Sequence, residues 1–486
     1  MFRASELRGV ERFFRRHPDA ASAPPPNPSL PVGADTLPNI KHIVILMMEN
    51  HSYDNYFGML ADHGDGFSLD ASGQPTAVNN SADGTAVPAH HFPQTTQTLR
   101  VPTQSWHASQ IQYNGGTNDG FVRSIEQTVL KGDPSVAMGY WTEADLPFYY
   151  GLARTFPLAD RWFGSCLGPT FPNRRFLIAG TANGLIDDLP VGMADYPPTG
   201  TIFDVLSQQG ISWTNYHSTP AIKSVFKRAL GKPVLDAARW IAINTLKWFP
   251  PLLHVLQDNL QFTADLYPMG LARFACHLRS TDEFFKHADE GTLPSVAIID
   301  PDFGAYSEEN PGNVQHGEGF AAEVVNRVMH GKGWANTVLI WFYDEHGGYY
   351  DHVPPPPVVE PDGVIGSSLL QLPDWFKAAA RPFLKVYIDQ LEAIDKGPRR
   401  YDRLGFRVPA VVVSPFARPG FVSHTTYDHT SVLKLIETKW NLPPLTKRDA
   451  AAVAPLDMLD LEGPPAFLTP PELPKPAQPW GTWTPP

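Results

Sequence analysis

From Thr337 to Tyr343 the chain reads TVLIWFY, and Asp344, Glu345, His346, Gly347 and Gly348 follow at once. A run that is apolar at every position and rich in β-branched and aromatic residues predicts a strand buried on both faces. His42 to Met48, HIVILMM, repeats the pattern and ends in Glu49, Asn50, His51 and Ser52. Ser212–Tyr216, Val296–Ile299 and Val408–Val413 are further strand candidates, each separated from the next by helical or loop sequence. This alternation predicts an α/β fold, a doubly wound and mostly parallel central sheet with helices on both faces. Ligands of such sheets bind at the carboxyl edge, where loops diverge from rigid strand roots. The two long runs therefore deliver acidic groups to a ligand-binding edge.

The rest of the chain decorates that core. Residues 24–31 form a Pro-rich linker, and Ala61 to Val101 is polar and aperiodic, which predicts a long loop. Residues 219–287 carry apolar side chains at helical spacing with breaks at Pro250 and Pro251, and are read as a helical insertion that packs on the sheet edge or meets lipid. The expected order is a leader and linker at 1–39, one main domain at 40–462 and an extended Pro-rich tail at 463–486.

Composition narrows the partners. A net charge of -12 argues against nucleic acid, which needs a basic stripe on the protein. A chain of 486 residues that is 42% hydrophobic can bury a large core, yet no stretch approaches a transmembrane helix. Arg15 and Arg16 are followed by His17, Pro18 and Asp19, where a signal peptide would place its apolar core. No ordinary signal peptide is expected, which leaves cytoplasmic residence or export by another route. Cys166 and Cys276 can form one disulfide or stay as free thiols.

Adjacent carboxylates repel one another unless a cation or a proton neutralises them. Glu49–Asn50 and Asp344–Glu345 both follow buried strands, so their oxygens can converge on one divalent metal ion. An oxygen-rich site suits Ca²⁺, Mg²⁺, Mn²⁺ or Zn²⁺. The plainer alternative is a capped polar turn after each strand. In GPTFPNR, Gly168–Arg174, Pro169 and Pro172 restrain the backbone around Thr170, and helix-compatible sequence follows. At a helix amino terminus unpaired N–H groups favour an anion, and a nearby metal can make a threonine hydroxyl nucleophilic. Otherwise Thr170 is simply an N-cap.

Four segments occur in an order that resembles the bacterial phosphoesterase family, which includes phosphatidylcholine-type phospholipases C and an acid phosphatase branch. They are IKHIVILMMENHSYDNYFG (Ile40–Gly58), GPTFPNRRFLIAGT (Gly168–Thr181), YDEHGGYYDHVPPP (Tyr343–Pro356) and RVPAVVVSPFARPGFVSHTTYDHTSVLKLIE (Arg407–Glu437). The resemblance runs from about Ile40 to Asp449, and its ordered motifs make it specific. It implies an alkaline-phosphatase-like α/β fold, a hydroxyl nucleophile in contact with a metal, and hydrolysis of phosphate esters.

By that resemblance Glu49, Asn50, Asp344 and Glu345 are metal ligands, and Thr170 is the nucleophile and a further ligand. His107, His316, His346 and His352 are the phosphate-binding and proton-transfer histidines, although the sequence around His316 departs from the family's His-Pro pattern. Asn173 and Arg174 are candidates for holding phosphate oxygens, with a structural carboxylate as the alternative partner of Arg174. His424, Asp428 and His429 are read as supporting residues. The implied reaction is in-line attack by Thr170, a phosphothreonine intermediate and its release by water, with His346 or His352 protonating the leaving alkoxide. Phospholipase C-type cleavage of phosphatidylcholine-like diesters is the leading expectation. Acid phosphatase activity on monoesters is the alternative, and a noncatalytic binding protein is the distant one. Trp106, Tyr113, Trp141, Phe148 and Tyr149 are candidates for a cage around a choline-like head group. A phospholipid substrate implies transient contact with a membrane surface, and no pattern encodes the oligomeric state.

Overall fold

Both long apolar runs are central strands. The computed structural model describes residues 23–98, 101–129, 132–188, 197–218, 275–366 and 397–481, together with 378, 381 and 382. In chain order the strands of its main sheet are β1 (His42–Met48), β2 (Leu158–Ala159), β3 (Trp213–His217), β4 (Leu278–Ser280), β5 (Val296–Ile299), β6 (Thr337–Tyr343), β7 (Ala410–Val413) and β8 (Val422–Ser423). Their order across the sheet is β8-β2-β7-β6-β1-β5-β3-β4. Every residue of β6 is buried, and so is every residue of β1 except His42. Full burial of such side chains stabilises by about 1.5–3 kcal/mol each.

Strand register places the acidic groups. β1 and β6 pair in parallel from His42 against Thr337 to Met48 against Tyr343, so Glu49 and Asp344 leave the sheet side by side. β5 pairs with the other edge of β1, Ile299 opposite Leu46, and Asp300 follows at once. The sheet is mixed: β7 runs antiparallel to β6 and to β2, and the remaining pairs are parallel. The last apolar run of the sequence becomes a strand only from Ala410, because Pro409 has no N–H to give a ladder.

The helices used below are α1 (Trp106–Tyr113), α2 (Pro147–Thr155), α3 (Thr170–Ala179), α4 (Thr281–Glu290), α5 (Val314–His330) and α6 (Thr430–Trp440). All residues of α3 are buried, and α6 packs against it. α5 packs on α4, α2 and β6.

The expected helical insertion at 219–287 lies outside the described residues as far as 274. Its last part corrects the expectation, because β4 pairs in parallel with β3 and extends the sheet. The strand stops where Ser280 and Glu283 form a reciprocal capping box that starts α4. The long loop at 61–101 contains short strands, of which Val78–Asn80 and Ala86–Pro88 pair antiparallel. In the tail, Trp480 packs on Phe285, Tyr306 and Phe320. Cys166 is buried, Cys276 is exposed and both are free thiols. Among the described residues no helix is long and apolar enough to cross a membrane.

Candidate active site

The loop after β1 and the loop after β6 are locked together by backbone geometry. Asn50 has a left-handed φ of 71°, which its short polar side chain tolerates. Its N–H donates to Asp344 Oδ1 at 3.0 Å, and the Glu345 N–H donates to the same oxygen at 2.8 Å. Gly347, at φ +65°, allows the second loop to close on the first, since a Cβ there would lie 1.8 Å from the Asn50 carbonyl oxygen.

Thr170 is the first residue of α3 and donates from Oγ1 to Asn50 Oδ1 at 3.2 Å. Pro169 precedes it without a side-chain cap, Pro172 has no N–H, and the Phe171 N–H donates to Asp188 Oδ1 at 2.9 Å. The chain thus sets a hydroxyl, an amide and two adjacent carboxylates at one point of the carboxyl edge. All are buried, Thr170 being the most exposed at 6%.

Arg174, one turn into α3, answers much of the negative charge. It lies 3.4 Å from each of Glu49 Oε1, Asp300 Oδ1 and Asp344 Oδ2 and is inaccessible to solvent. Burial alone would lower its pKa, but Asp344, Glu49 and Asp300 outweigh that and raise it. Burial pushes the Asp344 carboxyl up, against Arg174, the two N–H donors and the Thr170 hydroxyl. Burial and then the Asp344 charge push Glu345 well above the ordinary carboxyl range. Glu345 Oε1 and Asn50 Nδ2 have no hydrogen-bond partner among the described residues.

Such stranded atoms are what a cation would satisfy. Turning the Asn50 amide over exchanges its oxygen and nitrogen, which offers an oxygen in place of the unpaired nitrogen. Among the described residues no set of three His, Cys, Asp or Glu side chains is gathered for a metal. The expected set is three carboxylates, Glu49, Asp344 and Glu345, with an amide and a hydroxyl; Glu49 pairs with Arg174 at 3.4 Å, and the hard oxygens of Asn50, Thr170, Asp344 and Glu345 fit a divalent ion.

The two candidates for holding phosphate oxygens are used otherwise. Asn173 is fully buried, accepts from the Cys166 N–H at 3.0 Å and donates to the Gly168 and Pro169 carbonyls at 2.8 and 3.0 Å. It braces the loop that delivers Thr170. The Arg174 guanidinium takes the structural alternative, holding carboxylates out of reach of solvent.

The four histidines separate. His346 is buried, and that burial pushes its pKa down to about 3. Gln112 donates to the Thr103 carbonyl at 2.8 Å, so its Oε1 faces His346 Nε2 at 2.7 Å and accepts from it. His346 Nδ1, 3.2 Å from Glu345 Oε2, is then an acceptor facing an acceptor, and a proton or a cation has to mediate. His107 is half-buried on α1, where burial lowers its pKa, and its ring makes no hydrogen bond among the described residues. Trp106 beside it packs on Gly168, at the root of the Thr170 loop. His316 is exposed on the first turn of α5 and makes no hydrogen bond or ion pair with the threonine site.

His352 belongs to a separate ion-pair cluster. Its Nδ1 lies 2.7 Å from Asp54 Oδ2, and the buried Arg407 bridges Asp54 and Asp351 at 3.0 Å each. Burial works against a charge on His352, but Asp54 outweighs it and the pKa is raised above 6.5. Stabilisation from a raised histidine pKa is complete below the unfolded value and disappears as pH rises through the folded one. His352→Gln is therefore expected to lower the thermal midpoint at about pH 5.5 and to do so far less at about pH 9. Equal losses at both pH values would remove the ion pair as the cause.

The candidate head-group cage is core. Trp106, Trp141, Phe148 and Tyr149 are buried, and the Arg403 guanidinium already covers Tyr113, 4.7 Å from its ring centroid. Sequence reasoning missed Asp300 and Gln112. The signal for Asp300 was the strand-end rule itself, applied to VAIID at residues 296–300.

Residues 40–443 match the sequence model of the Phosphoesterase family. The chain belongs to this family. The phosphoesterase is accordingly a hydrolase of phosphoric esters. A Mycobacterium tuberculosis protein named phospholipase C B is 30% identical to it over 429 residues, covering 84% of the phosphoesterase and 74% of the relative. The hemolytic phospholipase C of Pseudomonas aeruginosa is 28% identical over 467 residues, 90% of the phosphoesterase and 57% of that protein. Non-specific phospholipase C6 of Arabidopsis thaliana is 28% identical over 448 residues, covering 85% and 71%.

Proposed function

We propose that this phosphoesterase cleaves phosphodiesters of the phosphatidylcholine type in the manner of a phospholipase C, on an alkaline-phosphatase-like scaffold, with Thr170 as nucleophile. The observation that carries the reading is the meeting of the Thr170 hydroxyl, at a helix amino terminus, with Asn50 and the buried Asp344–Glu345 pair. The names of the relatives favour the diester over the monoester. A divalent cation held by Asn50, Thr170, Asp344 and Glu345 would lower the hydroxyl pKa and neutralise charge on the phosphoryl oxygens.

The side chains divide the remaining work. Asn50 and the proline-bounded start of α3 aim the Thr170 oxygen, so attack on phosphorus pays little orientation entropy. A phosphothreonine forms and diacylglycerol leaves; water then releases phosphocholine. The leaving alkoxide needs a proton. His107 supports that role best among the four histidines, since its ring is uncommitted and α1 overlies the Thr170 loop. Arg174 and Asn173 act from behind, one on the carboxylates and one on the loop. A lipid substrate entails transient contact with a membrane surface.

Two measurements test this. Offered phosphatidylcholine and an aryl phosphate monoester side by side, the protein is expected to release diacylglycerol and phosphocholine; rapid monoester cleavage without lipid product would make it a phosphatase. Dialysis against a chelator is expected to abolish turnover, and one of Ca²⁺, Mg²⁺, Mn²⁺ or Zn²⁺ should restore it. Full activity in metal-free protein, verified by elemental analysis, would end the metal assignment.

A further inference from the structure

We propose that Glu308 is a positioning residue of the threonine site, the hub that fixes the Asn50 loop and the Asp344–Glu345 loop to one another. The inference rests on the reading of those residues as the site. Glu308 lies in the loop between Asp300 and Asn313, is only 2% exposed, and adopts a left-handed φ of 75°. Burial pushes its carboxyl pKa up to about 8. A buried acid in a conformation that side chains rarely adopt is unfavourable on two counts. An aliphatic residue would fill the space; only the acid supplies acceptors.

Those acceptors reach both loops. Glu308 Oε2 accepts from the hydroxyl of Tyr343, the residue before Asp344, and from that of Tyr56 at 2.6 Å; Oε1 accepts from Tyr149 at 2.6 Å. The Glu308 carbonyl oxygen lies 3.0 Å from Nε2 of His51, the residue after Asn50. It also accepts from Gln97, whose Oε1 takes the Tyr349 hydroxyl at 2.7 Å, just beyond the diglycine. The neighbouring Ser307 carbonyl accepts the Glu49 N–H at 3.0 Å. His51 is stacked between Tyr56 and Tyr349, with ring centroids 4.4 and 5.1 Å away. Gly317 leaves the room, since a Cβ there would sit 2.0 Å from Glu308 Cγ. One residue therefore gathers the end of β6, the residue after Asn50 and the far side of the diglycine loop, without being placed to touch substrate.

The test uses Glu308→Gln and Tyr343→Phe in the full chain, with Glu318→Gln as control. Glu318 is another buried acid, bonded to the Phe148 and Ala477 N–H groups and making no hydrogen bond to the threonine site. Both test variants are expected to lower kcat about tenfold or more with KM nearly unchanged, and to weaken Mn²⁺ binding read by EPR about tenfold. The control should change neither. Hydrogen exchange at the Asn50 and Glu345 amides, which both donate to Asp344, should accelerate in both test variants. If Glu308→Gln fails to fold, Tyr343→Phe, lacking a single hydroxyl, carries the test. A wild-type protein that neither binds Mn²⁺ nor hydrolyses phosphoesters would sink the proposed function, and exchange at those two amides would still decide the positioning role. Unchanged exchange, or unchanged kcat and Mn²⁺ affinity in folded variants, overturns it.

Discussion

Thr170→Ala is expected to lower kcat by about 10³-fold or more, as removal of a nucleophile does, while the protein stays folded. The hydroxyl donates to Asn50 at 3.2 Å and also meets the Asp344 carboxyl, so its loss costs about 0.5–1.5 kcal/mol of stability. That is a small effect on the thermal midpoint of a domain this large. Thr170→Ser keeps the oxygen and should keep part of the rate. Acid quenching of the wild type during turnover of a radiolabelled phosphoester should trap label on the protein, at Thr170 by peptide mapping and absent from the alanine variant. Wild-type turnover by Thr170→Ala, or label on another residue, would remove Thr170 as nucleophile. The size of the effect separates the roles: a threonine that only opens a helix loses stability alone on truncation and leaves kcat unchanged, and the cap position itself belongs to Pro169.

What the sequence made legible follows from what an apolar run can and cannot encode. TVLIWFY and HIVILMM announce buried strands because every position is apolar, and their acidic ends mark the ligand edge because strand direction fixes which end is which. Run length even predicts β1, β5 and β6 to the residue. Direction relative to a neighbour is not in the run. AVVV carries no mark of its orientation, and β7 is antiparallel because the chain re-enters the sheet at the edge where β6 ends, Ala410 opposite Phe342. Burial of single side chains is equally tertiary: Trp141, Phe148 and Tyr149 have the composition of a choline cage and the positions of a core. His346 and His352 lie six residues apart and look like partners. The diglycine turns the chain between them, and His352 joins Asp54 and Arg407 instead. Arg174 takes the structural alternative held open for it, but its partners could not be named from sequence, since Asp300, its third carboxylate, lies 126 positions away.

Arg174→Met is expected to cost about 3–5 kcal/mol at pH 7, because removing one partner of a buried ion cluster leaves the others uncompensated. Three carboxylates face the guanidinium at 3.4 Å, and none of Glu49, Asp300 and Asp344 is more than 2% exposed. Methionine keeps most of the volume, so the loss reads charge and not a cavity. The pH dependence fixes the sign. Without Arg174 the Asp344 carboxyl, already raised by burial, rises further above its unfolded value, and an acid so shifted destabilises increasingly as pH climbs through that interval. The deficit of the variant should therefore shrink toward about pH 4.5 and be largest above neutrality. Asp300→Asn in the same chain should recover part of the loss by removing one stranded charge, with urea unfolding as the measure for the series. A deficit below about 1 kcal/mol, or one that is flat with pH, would mean that the carboxylates are neutralised by protons and not by Arg174. In that case Asp344 and Glu345 would enter catalysis as acids, and their candidacy as ligands of a divalent cation would fail together with the electrostatic role of Arg174.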